Sequence, residues 1–187
     1  HSVFGSVIYP GAGFVELILA SVSDKSQDKL ICLSDLNIAC ALALHDERVT
    51  PVQVIASSLG NDYKIGVYSQ QDDDSWQEHA GAQVSFEANN NLDERINLSA
   101  YKDKGEYFSD PNIFYDKLSD SGIYYGSAFQ GLKSWSLFDE GLLAYIEIDD
   151  NASGYMLHPA LLDSCFQAAG LLLASDPAYA DKTHMPV

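Results

Sequence analysis

The sequence predicts an α+β fold in which a buried apolar helix is wrapped by an antiparallel sheet, and predicts that arrangement twice in 187 residues. Two observations carry this. An apolar helix-like run opened by a proline occurs near each end, once after Ile8-Tyr9-Pro10 and once after Leu157-His158-Pro159. Between them lie several strand-length runs separated by turn signals.

Taken in order, residues 3–9 are a strand-like apolar run that leads into a helix starting at Pro10, where the missing N–H costs nothing. Its residues 14–20 are apolar around most of the circumference, which predicts burial nearly all round. Strands are expected over 30–44 (broken or bulged), 52–57, 63–69 and 77–86, with turns at Leu59-Gly60-Asn61-Asp62 and Gln71-Asp72-Asp73-Asp74. Residues 87–99, with three consecutive asparagines, read as a solvated linker and divide the chain into halves 1–98 and 99–187. The second half offers a short helix at 111–118, paired strands at 133–138 and 142–148, and a long helix at 159–174. Aligning the two prolines sets Phe14 opposite Asp163.

Composition narrows the function. Ten basic against 27 acidic residues, net charge -17, argue against nucleic acid and against an anionic membrane surface. The longest apolar stretches fall short of the roughly 20 residues that span a bilayer, and a cytoplasmic protein is expected. Cys32, Cys40 and Cys165 show no CxxC spacing and are expected to be buried free thiols of a reducing compartment. No basic residue adjoins Cys165 to activate it.

Asp163 and Gln167 are four residues apart and share a face of an otherwise apolar helix. A carboxyl group in such surroundings holds its proton to higher pH, the condition for a general acid. A local cap near the helix start fits the same spacing equally well. His1 could serve as a base, although a lone histidine is more often structural or exposed. His45, His79 and His184 are expected on the surface or in loops, and His158 to cap the second helix. The glycines of Pro10-Gly11-Ala12-Gly13 could let a carbonyl approach free N–H groups at a helix N-terminus, or could serve close packing. No metal-ligand spacing, GxSxG, phosphate loop or GxGxxG unit occurs, so no metal or bound cofactor is expected.

Three spaced motifs in order carry a resemblance: HxxxGxxxxP as His1, Gly5 and Pro10; GxxYGxxF as Gly122, Tyr125, Gly126 and Phe129; and HPxxxDxxxQ as His158, Pro159, Asp163 and Gln167. Trp76 with His79-Ala80-Gly81 adds a fourth landmark. Together they resemble the dehydratase domain of modular polyketide synthases, a double hotdog fold. The resemblance implies a 3-hydroxyacyl-[acyl carrier protein] dehydratase. His1 would take the α-proton of a β-hydroxyacyl chain on acyl carrier protein, and Asp163 would protonate the departing hydroxyl. Gln167, Tyr125 and His158 would orient the acid or the leaving group. Gly11, with Pro10, Gly5 and Phe129, would hold the substrate, the Gly11 N–H facing the thioester carbonyl. The substrate would arrive on the phosphopantetheine of the carrier, with other synthase domains as partners and a homodimer allowed.

Ser127 stands where the family usually has proline, which loosens a turn and removes no catalytic group. Such domains usually carry strands before His1 and after Val187, so the chain is expected to be part of a larger domain. The alternatives are a double-bond isomerase or oxygen-heterocycle cyclase of the same fold, or a non-catalytic acyl-binding or scaffold domain. The isomerase is disfavoured by retention of Asp163 and Pro10, and the non-catalytic domain by the intact set His1, Asp163 and Gln167, whereas ring closure could follow dehydration in the same pocket.

Overall fold

The computed structural model describes residues 1–27, 29–45, 48–88, 96–101, 105–139, 141–148 and 153–175. Its elements begin with β1 (Ser2–Val3), β2 (Ser6–Ile8), α1 (Gly11–Ala20), β3 (Leu30–Ile38) and β4 (Ala43–Leu44). There follow β5 (Val52–Leu59), β6 (Asp62–Gln70), β7 (Trp76–Glu87), β8 (Glu106–Phe108) and α2 (Asn112–Asp120). The last are β9 (Ile123–Tyr124), β10 (Leu132–Phe138), β11 (Gly141–Ile146) and α3 (Pro159–Ser175). The described residues form two compact units, one drawn from 1–5, 96–148 and 160–175, the other from 6–88 and 153–159.

The second of these units is a helix on an antiparallel sheet of strand order β3-β7-β6-β5. Along β6 and β7 the residues Ile65, Val67, Ala80, Ala82 and Val84 alternate onto one face, as the two-residue period of a strand requires. Phe14 and Ile18 of α1, at helical i, i+4 spacing, close over that face with Val22. Burying each such side chain is worth about 1.5–3 kcal/mol, which makes this contact the main support of the unit. Leu59 pairs with Asp62 across the β5–β6 turn, and Gly60 takes the positive φ of 68° that a two-residue hairpin needs. The pairing of β3 with β7 slips between Ser34 and Asn37, beside Asp35 at φ 51°, which is the bulge expected from the sequence.

The first unit sets α2 and α3 with the sheet β11-β10-β8. Tyr115, Leu132, Trp135 and Ala168 form its core, with Phe108 stacked on Trp135 at 5.4 Å between ring centroids. A short antiparallel pair, Ser2 with Tyr124 and Val3 with Ile123, joins β1 to β9.

The helices and strands expected from the sequence are present within a few residues, and both units place a helix against an antiparallel sheet. Four expectations are corrected. Pro10 is not the first helical residue; its ψ of 144° is extended, so it is the cap and Gly11 begins the helix. The strand-like run 3–9 is interrupted at Phe4 and Gly5, both at positive φ. The cysteines are free but not buried: Cys32 is partly buried and Cys40 and Cys165 are exposed. His79 is not a surface residue but a buried one on β7, accepted into the core by two hydrogen bonds, between Nε2 and Ser69 Oγ (2.7 Å) and between Nδ1 and Cys40 O (3.0 Å). The strands β8 and β9 were too short to stand out in the sequence. His184 and most of the expected linker lie outside the described residues. Among the described residues no helix is long and apolar enough to cross a membrane.

Candidate active site

The register of β1 against β9 decides where His1 goes. With Ser2 opposite Tyr124 in an antiparallel pair, the residue before Ser2 falls beside the residue after Tyr124. The His1 ring accordingly lies 4.9 Å from that of Tyr125 and 5.6 Å, edge-on, from that of Phe129. Its Nδ1 is buried and makes no hydrogen bond among the described residues. Gly5 ends this short strand at φ 84°, and its role in the geometry is the turn itself.

On α3, Asp163 and Gln167 are both 3% exposed and face the interior of the same unit. Gln167 Nε2 donates to Asp163 Oδ2 (2.8 Å) and to the backbone carbonyl of Phe129 (2.9 Å). Gln167 Oε1 accepts from the Tyr115 hydroxyl (2.9 Å), which in turn accepts the N–H of Leu132 (3.2 Å). Burial pushes the Asp163 carboxyl above its ordinary value, opposed in part by the Gln167 hydrogen bond. Asp163 is thus a buried, hydrogen-bonded carboxyl with its charged form disfavoured, and among the described residues its side chain makes no hydrogen bond that caps its helix.

Burial, then the Asp163 charge and the neighbouring Tyr115, also push the Tyr125 hydroxyl well above its ordinary value. Tyr115 is raised by burial to about 12. Both phenols therefore keep their protons at neutral pH and can donate. The structure so gathers His1, Tyr125, Phe129, Asp163 and Gln167 in one unit. Pro10, Gly11 and His158 belong to the other unit, where Gly11 opens α1 behind an N-cap without a side-chain hydrogen bond and the His158 ring packs 4.6 Å from Tyr155. Among the described residues no group of three or more His, Cys, Asp or Glu is placed to hold a metal.

Sequence reasoning missed two residues. Tyr115 lies among Phe114 and Leu118 on the apolar side of α2, and a buried tyrosine needs a partner for its hydroxyl. That need was the available signal. Glu16 is the one acid in an apolar helix, and its carboxylate accepts the N–H groups of Met156 (3.0 Å) and Leu157 (2.8 Å), fixing the turn that precedes His158.

Two family models match the chain over most of its length. The polyketide synthase dehydratase domain model matches residues 1–70, and the polyketide synthase dehydratase N-terminal domain model matches residues 99–187. This chain belongs to the polyketide synthase dehydratase domains. Its fold is accordingly the double hotdog, and a crystal structure of an inactive mutant of the CurK dehydratase is similar with a TM-score of 0.88 at 27% identity, covering 100% of this chain and 67% of that one. The dehydratase domain from the CurF module of the curacin polyketide synthase has a TM-score of 0.83 at 28% identity, covering 90% of this chain and 63% of that one. Among curated sequences, polyketide synthase GfsA of Streptomyces halstedii is 31% identical over 180 residues, 91% of this chain and 2% of the synthase. The phenolphthiocerol synthesis polyketide synthase Pks15/1 of Mycobacterium marinum is 31% identical over 194 residues, 100% of this chain and 9% of the synthase. The dehydratase chain thus spans a small fraction of the curated synthases it matches.

Proposed function

We propose that this dehydratase domain removes water from a β-hydroxyacyl thioester held on the phosphopantetheine of an acyl carrier protein. The product is an α,β-unsaturated thioester, made within a multidomain synthase whose other domains are its partners. The observation that carries this reading is the buried Asp163 carboxyl, fastened by Gln167, in the unit that also holds His1 against Tyr125.

The His1 imidazole takes the α-proton, and the electron pair of that C–H bond becomes the new carbon–carbon double bond. The β-carbon–oxygen bond breaks as Asp163 gives its proton to the oxygen, which leaves as water. His1 ends protonated and Asp163 ionised, and proton exchange with solvent restores both. Tyr125, protonated at neutral pH, can donate to the leaving oxygen. General acid and base contributions of this kind are each worth about 10²–10⁴-fold. Two similar structures support the assignment by residue type: a histidine-to-phenylalanine and an aspartate-to-asparagine change are each described as inactive mutants of the CurK dehydratase.

The test is mass spectrometry of a β-hydroxyacyl carrier protein incubated with wild type, His1→Ala and Asp163→Asn. Loss of one water mass with wild type and neither variant is expected. No loss with wild type over several chain lengths would favour a non-catalytic domain, and loss that survives both substitutions would mean the catalytic pair is wrongly named.

A further inference from the structure

We propose that Tyr115, through Gln167, fixes which oxygen of Asp163 carries the catalytic proton, leaving Oδ2 as a permanent acceptor and placing the proton on Oδ1. This rests on the acid role proposed above for Asp163, and it assigns a positioning residue outside the motifs that revealed the site.

The direction of every hydrogen bond in the chain is set at its two backbone ends. The Leu132 N–H can only donate, so the Tyr115 oxygen accepts it and sends its single proton onward to Gln167 Oε1. The Phe129 carbonyl can only accept, so the atom of Gln167 facing it is Nε2. Both ends therefore choose the same orientation of the Gln167 amide. Its second N–H then points at Asp163 Oδ2 from 2.8 Å. A proton on Oδ2 would face that N–H directly, so the protonated acid carries its hydrogen on Oδ1.

Without the Tyr115 hydroxyl, the Leu132 N–H and Gln167 Oε1 lose their partners inside the core, a position buried enough to make that costly. The amide is then held at one backbone point instead of two, and its bond to Oδ2 weakens. Because that bond favours the charged form of Asp163, losing it moves ionisation to higher pH.

The experiment is an NMR titration of the Asp163 side-chain carboxyl carbon in the complete dehydratase domain, for wild type, Tyr115→Phe, Gln167→Leu and the double variant. This readout requires no turnover, so failure of the dehydratase reading and failure of this one are distinguishable. Tyr115→Phe is expected to move the Asp163 titration to higher pH and lower kcat on the order of 10-fold with little change in KM. In the Gln167→Leu background the same substitution is expected to add no further shift. An unmoved titration in Tyr115→Phe, or an equal additional shift in the double variant, overturns the proposal. Wild type alone gives a second check: the Gln167 side-chain N–H signals should shift as Asp163 ionises, and signals indifferent to that titration also overturn it.

Discussion

In α1 the residue four places after the opening proline is Phe14, and eight places after it is Ile18; in α3 the corresponding residues are Asp163 and Gln167. All four are buried, at 1%, 0%, 3% and 3% exposure. Phe14 and Ile18 need no partners beyond the apolar sheet face that receives them. Asp163 and Gln167 are viable at the same depth because a phenol, a backbone carbonyl and their own mutual bond satisfy them. One unit thus spends the fourth and eighth places after its proline on stability, the other on a polar chain that ends in a buried carboxyl group. A repeated fold supplies the burial, and the partners decide whether burial makes a core or an acid.

If partners are the difference, importing the acid without them should fail. Phe14→Asp would lose the packing of the ring, about 3–5 kcal/mol for removal to alanine, and would add an acid whose i+4 neighbour is Ile18 rather than a glutamine. Urea denaturation of this variant is expected to show a loss exceeding that of Phe14→Ala. Equal losses in the two variants would mean that α1 can solvate a carboxyl group at this position, and the contrast between the helices would collapse.

A buried polar group in the second unit, His79, sharpens the comparison from the other side. His79 lies 6.2 Å from Phe14, its ring nearly parallel, and its two nitrogens meet Cys40 O and Ser69 Oγ. Since the Cys40 carbonyl requires a proton on Nδ1, the neutral ring presents Nε2 as acceptor and Ser69 donates. Ser69→Ala leaves that nitrogen unpaired in the core and should cost about 1–3 kcal/mol in the same denaturation assay. A cost near zero would show that a replacement donor is at hand, and that this unit tolerates polar groups more readily than its apolar face suggests.

Much of this contrast was legible in the sequence. The proline-led helices showed through their continuous apolar character, and Asp163 and Gln167 through their shared face. The placement of His1 was not legible, because it depends on a two-residue strand pairing with another two-residue strand, too short for any period to register. His79 was misread because a single histidine carries no sign of the carbonyl and hydroxyl that await it from residues 40 and 69. Tyr115 escaped for a similar reason: its partner Gln167 is 52 positions away, and hydrogen bonds between distant segments leave no spacing to recognise.

The smallest expected effect is thermodynamic. The Asp163 carboxyl is raised above its ordinary value by burial, so over the pH range between its unfolded and folded titrations the native state binds more protons than the unfolded one. Stability contributed by this group therefore falls as pH rises through that window and stays low above it. Asp163→Asn removes the titrating group while keeping an oxygen that can accept from Gln167. The variant should melt close to wild type below the ordinary carboxylate range, and above wild type once Asp163 is ionised, by on the order of 2–4 °C for each kcal/mol recovered. Calorimetry at acid and alkaline pH measures the difference directly. A variant less stable than wild type at alkaline pH would mean that the ionised carboxylate is stabilised in place, and a residue whose charge the fold favours is poorly suited to be the acid that the contrast with Phe14 assigns.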